Sequence, residues 1–322
     1  MAPELEPAPS KPIPDGEPAF GTYRDVLETT ALESHERGVG RLRTLLSEKH
    51  WQWFAAADDS IAVGGAVVDA GLAGTVFCWV ADRQTGELLD VSRLRPSFAF
   101  TLSETPTSEL VARYRFGGER LEVTRDGSSL SIRGELGEIA FDLEFEAPLE
   151  AAVTAVCPVP EGPPGAVNVT QKELAVSVSG AIVANGDRRD LEGVGLLDHS
   201  HGLLARETYW RWAMGVSFED EPVGFNLVTG FNDGLENVAW IDGEPRTVGP
   251  AHVEPPVGRG PWRATAEEVD VSLEIEAERR EGRDLGVVAS QYRQPLGTWS
   301  GGIGGRDLED VFGVAEVHRA RW

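Results

Sequence analysis

Apolar residues in this chain recur at every second position in short runs, and run follows run with little helical sequence between them. A spacing of two puts alternate side chains on opposite faces of a strand. FDLEFEA (141–147) is the clearest case. Phe141, Leu143 and Phe145 alternate with Asp142, Glu144 and Glu146, which predicts a half-buried strand with one wet face. Between the runs stand turn residues: Gln84-Thr85-Gly86, Gly117-Gly118, Asp126-Gly127, Leu136-Gly137 and Asp242-Gly243. Strands that succeed one another without crossover helices cannot build a doubly wound α/β sheet. They end as barrels or sandwiches. With roughly a dozen and a half strands, the expected fold is all-β, with two consecutive antiparallel barrels or two sheets rather than one.

The division follows from composition shifts. Residues 1–39 are expected to form an arm. Its first 20 residues are Pro- and acid-rich and read as loosely pinned. TYRDVLETTALESHE (22–36) is the best helical stretch of the chain. Residues 40–195 then form the first barrel and 196–322 the second. The breaker-dense segment Cys157–Gly165 offers an alternative boundary near 160, because Gly193–Gly202 can either close barrel one or open barrel two.

With 53 acidic against 29 basic residues, the net charge of −24 argues against nucleic acid as a partner and against docking on an anionic membrane. Only three of the basic residues are Lys (Lys11, Lys49, Lys172), a bias read as genomic rather than chemical. The two cysteines form no CxxC pair and read as buried small hydrophobes of a reducing compartment. The N-terminus lacks the basic and apolar regions of a signal peptide, and no run approaches the length of a membrane helix. A cytoplasmic protein without membrane insertion is expected. No pattern speaks to its oligomeric state.

HExxH, GxSxG, a Walker loop and a strand-following GxGxxG are all absent. The Gly-rich Thr298–Gly305 sits between strands and reads as a hairpin. The most informative segment is Gly193-Val-Gly-Leu-Leu-Asp198-His199-Ser200-His201-Gly202, followed by Tyr209-Trp210-Arg211-Trp212. An Asp beside a His supplies the parts for acid/base work. In an extended strand, however, Asp198 and Ser200 share one face while His199 and His201 share the other. His199 and His201 are the only candidate metal ligands, and no second ligand pair accompanies them, so neither metal nor cofactor is expected. The plainer alternative is a buried polar network at a sheet junction. Trp210 and Trp212 lie on one face, as core packing or as the wall of an apolar pocket. Glu316, His318 and Trp322 share a parity in the last strand, as an ordinary ion pair or as a titratable site. Glu236, Asn237, Trp240 and Asp242 make a similar polar–aromatic strand.

These segments resemble a known family. Asp198-x-Ser200-x-Gly202, Trp210-x-Trp212-Ala213, Gly224-x-Asn226-Leu227-Val228 and the closing Gly313-x-x-Glu316-x-His318-x-Ala320-Arg321-Trp322 are similar to the domain of unknown function 2804 family. More distantly, Gly193-x-Gly195-x-Leu197-Asp198-His199 and the W-x-W strand resemble the AttH-like and carotenoid hydratase group. That resemblance implies two lipocalin-like barrels, and hydratase, isomerase or cyclase chemistry on apolar, often terpenoid molecules. In that group Glu and Trp usually follow the D-H pair, where this chain has Ser200 and His201.

The expected function is therefore binding of an apolar small molecule, with an enzyme as one outcome. Asp198 would be the acid, raised in pKa by burial, with His199 or His318 relaying protons. Trp210, Trp212, Tyr209, Asn226, Glu236 and Glu316 would contact the ligand, the Trp faces stabilising cationic character. A non-catalytic lipid or pigment carrier, and a structural module with filled barrels, are the alternatives.

Overall fold

The computed structural model describes residues 4–322, apart from 33–45, 220–222, 257–259, 285, 287 and the side chain of Asp233. Among these residues 22 strands form two antiparallel sheets.

The first sheet begins with β1 (Gly21–Arg24), β2 (Glu48–Ala57), β3 (Ile61–Asp69), β4 (Ala73–Asp82), β5 (Leu88–Pro96) and β6 (Phe100–Leu102). It continues with β7 (Leu110–Phe116), β8 (Glu119–Asp126), β9 (Ser129–Leu136), β10 (Ile139–Glu146) and β11 (Val153–Pro158). The long strands β12 (Val167–Ala184) and β13 (Asp187–Leu203) complete it. Its order is β5-β4-β3-β2-β13-β12-β10-β9-β8-β7-β6. β12 is shared: its first third, Val167–Lys172, pairs with β11, which carries β1, and its end, Ser177–Ala184, pairs with β10. The sheet curls until β6 and β7 lie against β2 and β3, a nearly closed barrel.

The second sheet holds β14 (Glu207–Ser217), β15 (Gly224–Thr229), β16 (Val238–Ile241), β17 (Glu244–Thr247) and β18 (His252–Glu254). To these it adds β19 (Trp262–Ala266), β20 (Val269–Asp284), β21 (Ala289–Ile303) and β22 (Arg306–Arg321). Its order is β17-β16-β15-β14-β22-β21-β20-β19-β18, and it curls into a half-barrel. Among the described residues no helix is long and apolar enough to cross a membrane.

The hydrophobic patterning explains three separate cores. Phe54, Val67, Cys78, Leu121, Ile132 and Leu143 fill the first barrel. Phe225, Leu227, Trp262, Val271 and Trp299 fill the second. The other face of the same strands makes a third core between the barrels, from Trp53, Ala55, Ala57, Ala66, Trp79 and Leu196 on one side and Trp212, Met214, Phe312 and Val314 on the other. Both faces of β2, β13, β14 and β22 are therefore buried, and these strands lose the polar alternation seen in β10. Small Ala side chains let the two sheets approach. The G-x-G of β13 serves packing inside the first barrel instead: a Cβ on Gly195 would lie 2.6 Å from the Phe145 ring.

Two expectations about organisation change. The change of unit expected at 195/196 falls inside β13, whose pairing with β2 runs unbroken from Val194 to Leu203. The chain passes to the second sheet only between Leu203 and Glu207, and the Pro-rich 157–165 segment is an internal β11–β12 connection. The arm is also better anchored than its composition suggests. Thr22–Arg24, expected to be helical, is strand β1 against β11, and the arm's helix is one 3-10 turn at Pro14–Gly16. Residues 25–32 are likewise non-helical, and 33–36 lie outside the described residues. Leu27 buries against Val156, Val167 and Val169, so tertiary burial outweighs local helix propensity here. Thr298–Gly305 is the β21–β22 hairpin, with Gly304 and Gly305 at positive φ in the turn.

Candidate functional site

Between the two barrels the third core opens into a cavity of about 470 Å³. Strand parity decides what faces it. β2 contributes Trp51 and Trp53, β12 Lys172, β13 Asp198 and Ser200, β14 Trp210 and Trp212, and β22 Glu316 and His318. The wall is largely aromatic and aliphatic. Two W-x-W strands, one from each barrel, confront each other across it. Trp51 stacks on Trp210 with ring centroids 6.4 Å apart, and Trp53 meets Trp212 edge-on at 5.1 Å. Phe77, Val68, Val228 and Phe231 extend this apolar lining.

Two polar groups interrupt the wall. In the first, Lys172 Nζ lies 2.6 Å from Asp198 and 3.1 Å from Glu236, and 5.2 Å from the centre of the Trp212 ring. The two carboxylates outweigh the burial cost of the ammonium and push its pKa up to about 12. Trp51 Nε1 donates to Asp198 at 2.9 Å, and Asn232 Nδ2 donates to Glu236 at 2.6 Å. Asp198 thus reaches the cavity as the partner of an ammonium.

The second group centres on Glu316, which is 5% exposed. Burial pushes its pKa up to about 7, against the opposing effect of hydrogen bonds from Tyr292, Trp210 and Gln294. Trp210 Nε1 donates to one oxygen at 2.7 Å and Gln294 Nε2 to the other at 2.8 Å. The nearby charge of Asp198 adds to the rise. His318 stands two residues on, its Nε2 2.9 Å from Ser290 Oγ and its ring edge-on to Trp210. Burial, helped by Arg279, pulls its pKa down to about 3, so it is a neutral imidazole.

A folding consequence follows from Glu316. Its pKa in the folded state lies above the ordinary carboxyl value of 4.5, so folding favours the protonated form. That stabilisation is complete below about pH 4.5 and is lost as pH rises through 7, an amplitude of roughly 3 kcal/mol. Glu316→Gln should flatten the fall in urea-unfolding stability between pH 5 and pH 9. An undiminished slope would show that another group sets it.

Among the residues singled out from sequence, Asp198, Trp210, Trp212, Glu236, Glu316 and His318 converge on the cavity. Three do not. His199 lies on the opposite face of β13, toward the first barrel, with Nδ1 3.2 Å from Gln52 Oε1 and Nε2 3.2 Å from His50. The odd parity that separates it from Asp198 removes it as a relay for this site. Tyr209 is out of phase with Trp210, 43% exposed, and accepts a bond from Arg211. Asn226 is buried behind the wall, where its Oδ1 accepts the Trp212 indole N–H at 2.7 Å and fixes that ring. Sequence reading missed Lys172, Trp51, Trp53 and Tyr292. A signal existed for Lys172: it is one of three lysines in the chain and stands shortly before the apolar run Leu174-Ala175-Val176.

Fold and cavity together define an all-β protein of a nearly closed barrel and a half-barrel with a pocket at their junction. The chain belongs to the domain of unknown function 2804 family, whose model matches residues 12–322. Its fold is similar to that of an AttH-like protein of Nitrosomonas europaea, at a TM-score of 0.55 and 13% identity over 91% of this chain and 98% of the other. It is also similar to kievitone hydratase of Nectria haematococca, at a TM-score of 0.55 and 11% identity over 94% of this chain and 98% of the other. No match was found among curated proteins.

Proposed function

We propose that the inter-barrel cavity binds an apolar small molecule and adds a proton to one of its double bonds, leading to hydration, isomerisation or cyclisation. The observation that carries this reading is a buried carboxyl group with a pKa of about 7 set in an aromatic cavity. The volume is in the range of small-molecule pockets, and few polar groups interrupt its lining. Near neutral pH about half of the Glu316 side chains carry a transferable proton, the condition a general acid needs. Protonation of an alkene carbon leaves a carbocation facing the indoles of Trp210, Trp212, Trp51 and Trp53, whose π faces favour positive charge. The first polar group sets two carboxyl side chains, Asp198 and Glu236, against the one ammonium of Lys172 and does not oppose it. Attack by water on the cation, with the water's proton returned to the Glu316 carboxylate, closes a hydration cycle. Loss of a different carbon-bound proton gives isomerisation instead. The likeness to a hydratase fold supports this chemistry by analogy only. The buried thiols Cys78 and Cys157 accord with a cytoplasmic, reducing setting.

The test is deuterium incorporation from D₂O into a panel of branched terpenoid alkenes, with binding followed by Trp fluorescence. The wild type should label at least one compound. Glu316→Gln should bind it comparably but label it about 100-fold more slowly, the scale of one general acid. A compound that binds and is never labelled would leave the protein a carrier.

A further inference from the structure

Where the inter-barrel cavity meets solvent, its rim is apolar. Leu46, Leu72, Leu94 and Val288 line the cavity, yet each is between 41% and 64% exposed. They come from four separate segments: the approach to β2, the β3–β4 turn, β5 and the approach to β21. Two further side chains extend this rim outward. The Ser97 N–H donates to the Leu72 carbonyl at 3.2 Å, which brings the Ser97-Phe98 backbone up to Leu72. Phe98 is 80% exposed, and its ring centroid lies 6.1 Å from that of Phe116 at the end of β7. Nine large apolar side chains are exposed among the described residues, and these are six of them. Exposed apolar residues scattered singly are ordinary; two thirds of them gathered at one opening mark an interaction surface.

The rim also carries cations. Arg95 follows Leu94 and lays its guanidinium over the Phe116 ring, 5.2 Å from its centre. Arg206 lines the cavity and is exposed. An arginine beside an apolar patch lays its stem along that patch while its charged head stays at the level of polar groups.

We propose that this rim docks on a surface of zwitterionic phospholipid, and that the cavity exchanges its apolar molecule with that surface. The inference rests on reading the cavity as the site of an apolar molecule. Three observations select lipid as the occupant. The rim is continuous with the apolar lining, so a rim seated in lipid gives an apolar molecule a path that avoids water. A protein partner on the same residues would close that path. A second copy of this chain would bring together two bodies that each carry a net charge of −24. The same net charge selects a zwitterionic surface over an anionic one, with Arg95 and Arg206 meeting headgroup phosphates locally.

Flotation of the purified full chain with phosphatidylcholine vesicles in a sucrose gradient tests this without substrate or turnover. A failed proton-transfer assay therefore leaves the docking result standing, and failed flotation leaves the cavity chemistry standing. The wild type should float with the vesicles. Phe98→Ser/Phe116→Ser changes two exposed side chains that do not line the cavity, so the fold is kept. It should weaken vesicle partitioning about 10- to 100-fold, the scale of two apolar side chains that no longer leave water. Ile275→Ser, at an exposed apolar position on β20 outside the rim, should float as the wild type does. A wild type that stays out of the vesicle fraction overturns the proposal, as does a double variant that floats equally well. A dimer seen by light scattering and dissociated in the double variant would also overturn it, and would assign the rim to a second copy.

Discussion

Lys172→Met should cost the protein about 3–5 kcal/mol, the usual penalty for removing one partner of a buried ion pair. The side chain is 6% exposed and stands between Asp198 and Glu236 at 2.6 and 3.1 Å. Methionine preserves the stem and its packing near Trp212 but leaves two carboxylates buried without a counter-charge. A loss of that size lowers Tm by roughly 6–15 °C for a domain of this scale. The charge account makes a sharper statement than the single variant. Adding Asp198→Asn to Lys172→Met removes one of the uncompensated carboxylates and should recover part of the loss. Asp198→Asn alone should be destabilising, because it weakens the same pair. The sign of the coupling in this double-mutant cycle separates an electrostatic cost from a packing cost. Scanning calorimetry of the four proteins measures it, and additive losses would refute the ion-pair account.

The same pair shows what the sequence made legible. Period-two runs and Asp-Gly turns were sufficient for an all-β meander in two barrels, because strand faces and turn geometry are local properties. The face assignment on β13 was legible for the same reason. What stayed hidden was which face of a strand buried on both sides meets the other barrel. Leu197 fills barrel one while Leu196 lies between the barrels, and nothing in their chemistry distinguishes them. The acid role consequently fell on Asp198, whose neighbour Lys172 lies 26 residues earlier but directly across the β12–β13 ladder. Long-range register, not composition, moves the raised carboxyl pKa to Glu316. The arm misled for a related reason: its helix propensity is real but weak, and pairing of β1 with β11 outweighs it.

Acid should unfold this protein well above the pH at which its carboxylates are all neutralised, with a midpoint of about pH 4–5. The cause is three histidines held neutral by burial. His199 and His318 have their pKa values pulled down to about 3, and His50 lies well below its ordinary 6.5 through burial beside His201 and His199. In the unfolded chain each binds a proton below about pH 6.5, while in the folded form His199 and His318 resist it until about pH 3 and His50 resists it to well below its ordinary value. The sign is fixed by that order. Stability is present above pH 6.5 and is lost as pH falls, by roughly 4–5 kcal/mol for each of His199 and His318 once pH 3 is reached. Two such sites alone approach the 5–15 kcal/mol that holds a typical domain together. Glu316 works in the opposite sense. Its protonation stabilises the fold as pH drops from 7 to 4.5, offsetting up to roughly 3 kcal/mol of the histidine loss. Stability should therefore form a shallow plateau near pH 6 and fall steeply below pH 5, where Glu316 has nothing further to give. Near-UV circular dichroism of the buried tryptophans, recorded from pH 8 to pH 3, reads this directly. His318→Gln should move the acid midpoint to lower pH if the ring is neutral in the fold. A native spectrum retained at pH 3 would mean that the three imidazoles accept protons in place, and the neutral assignment would fall.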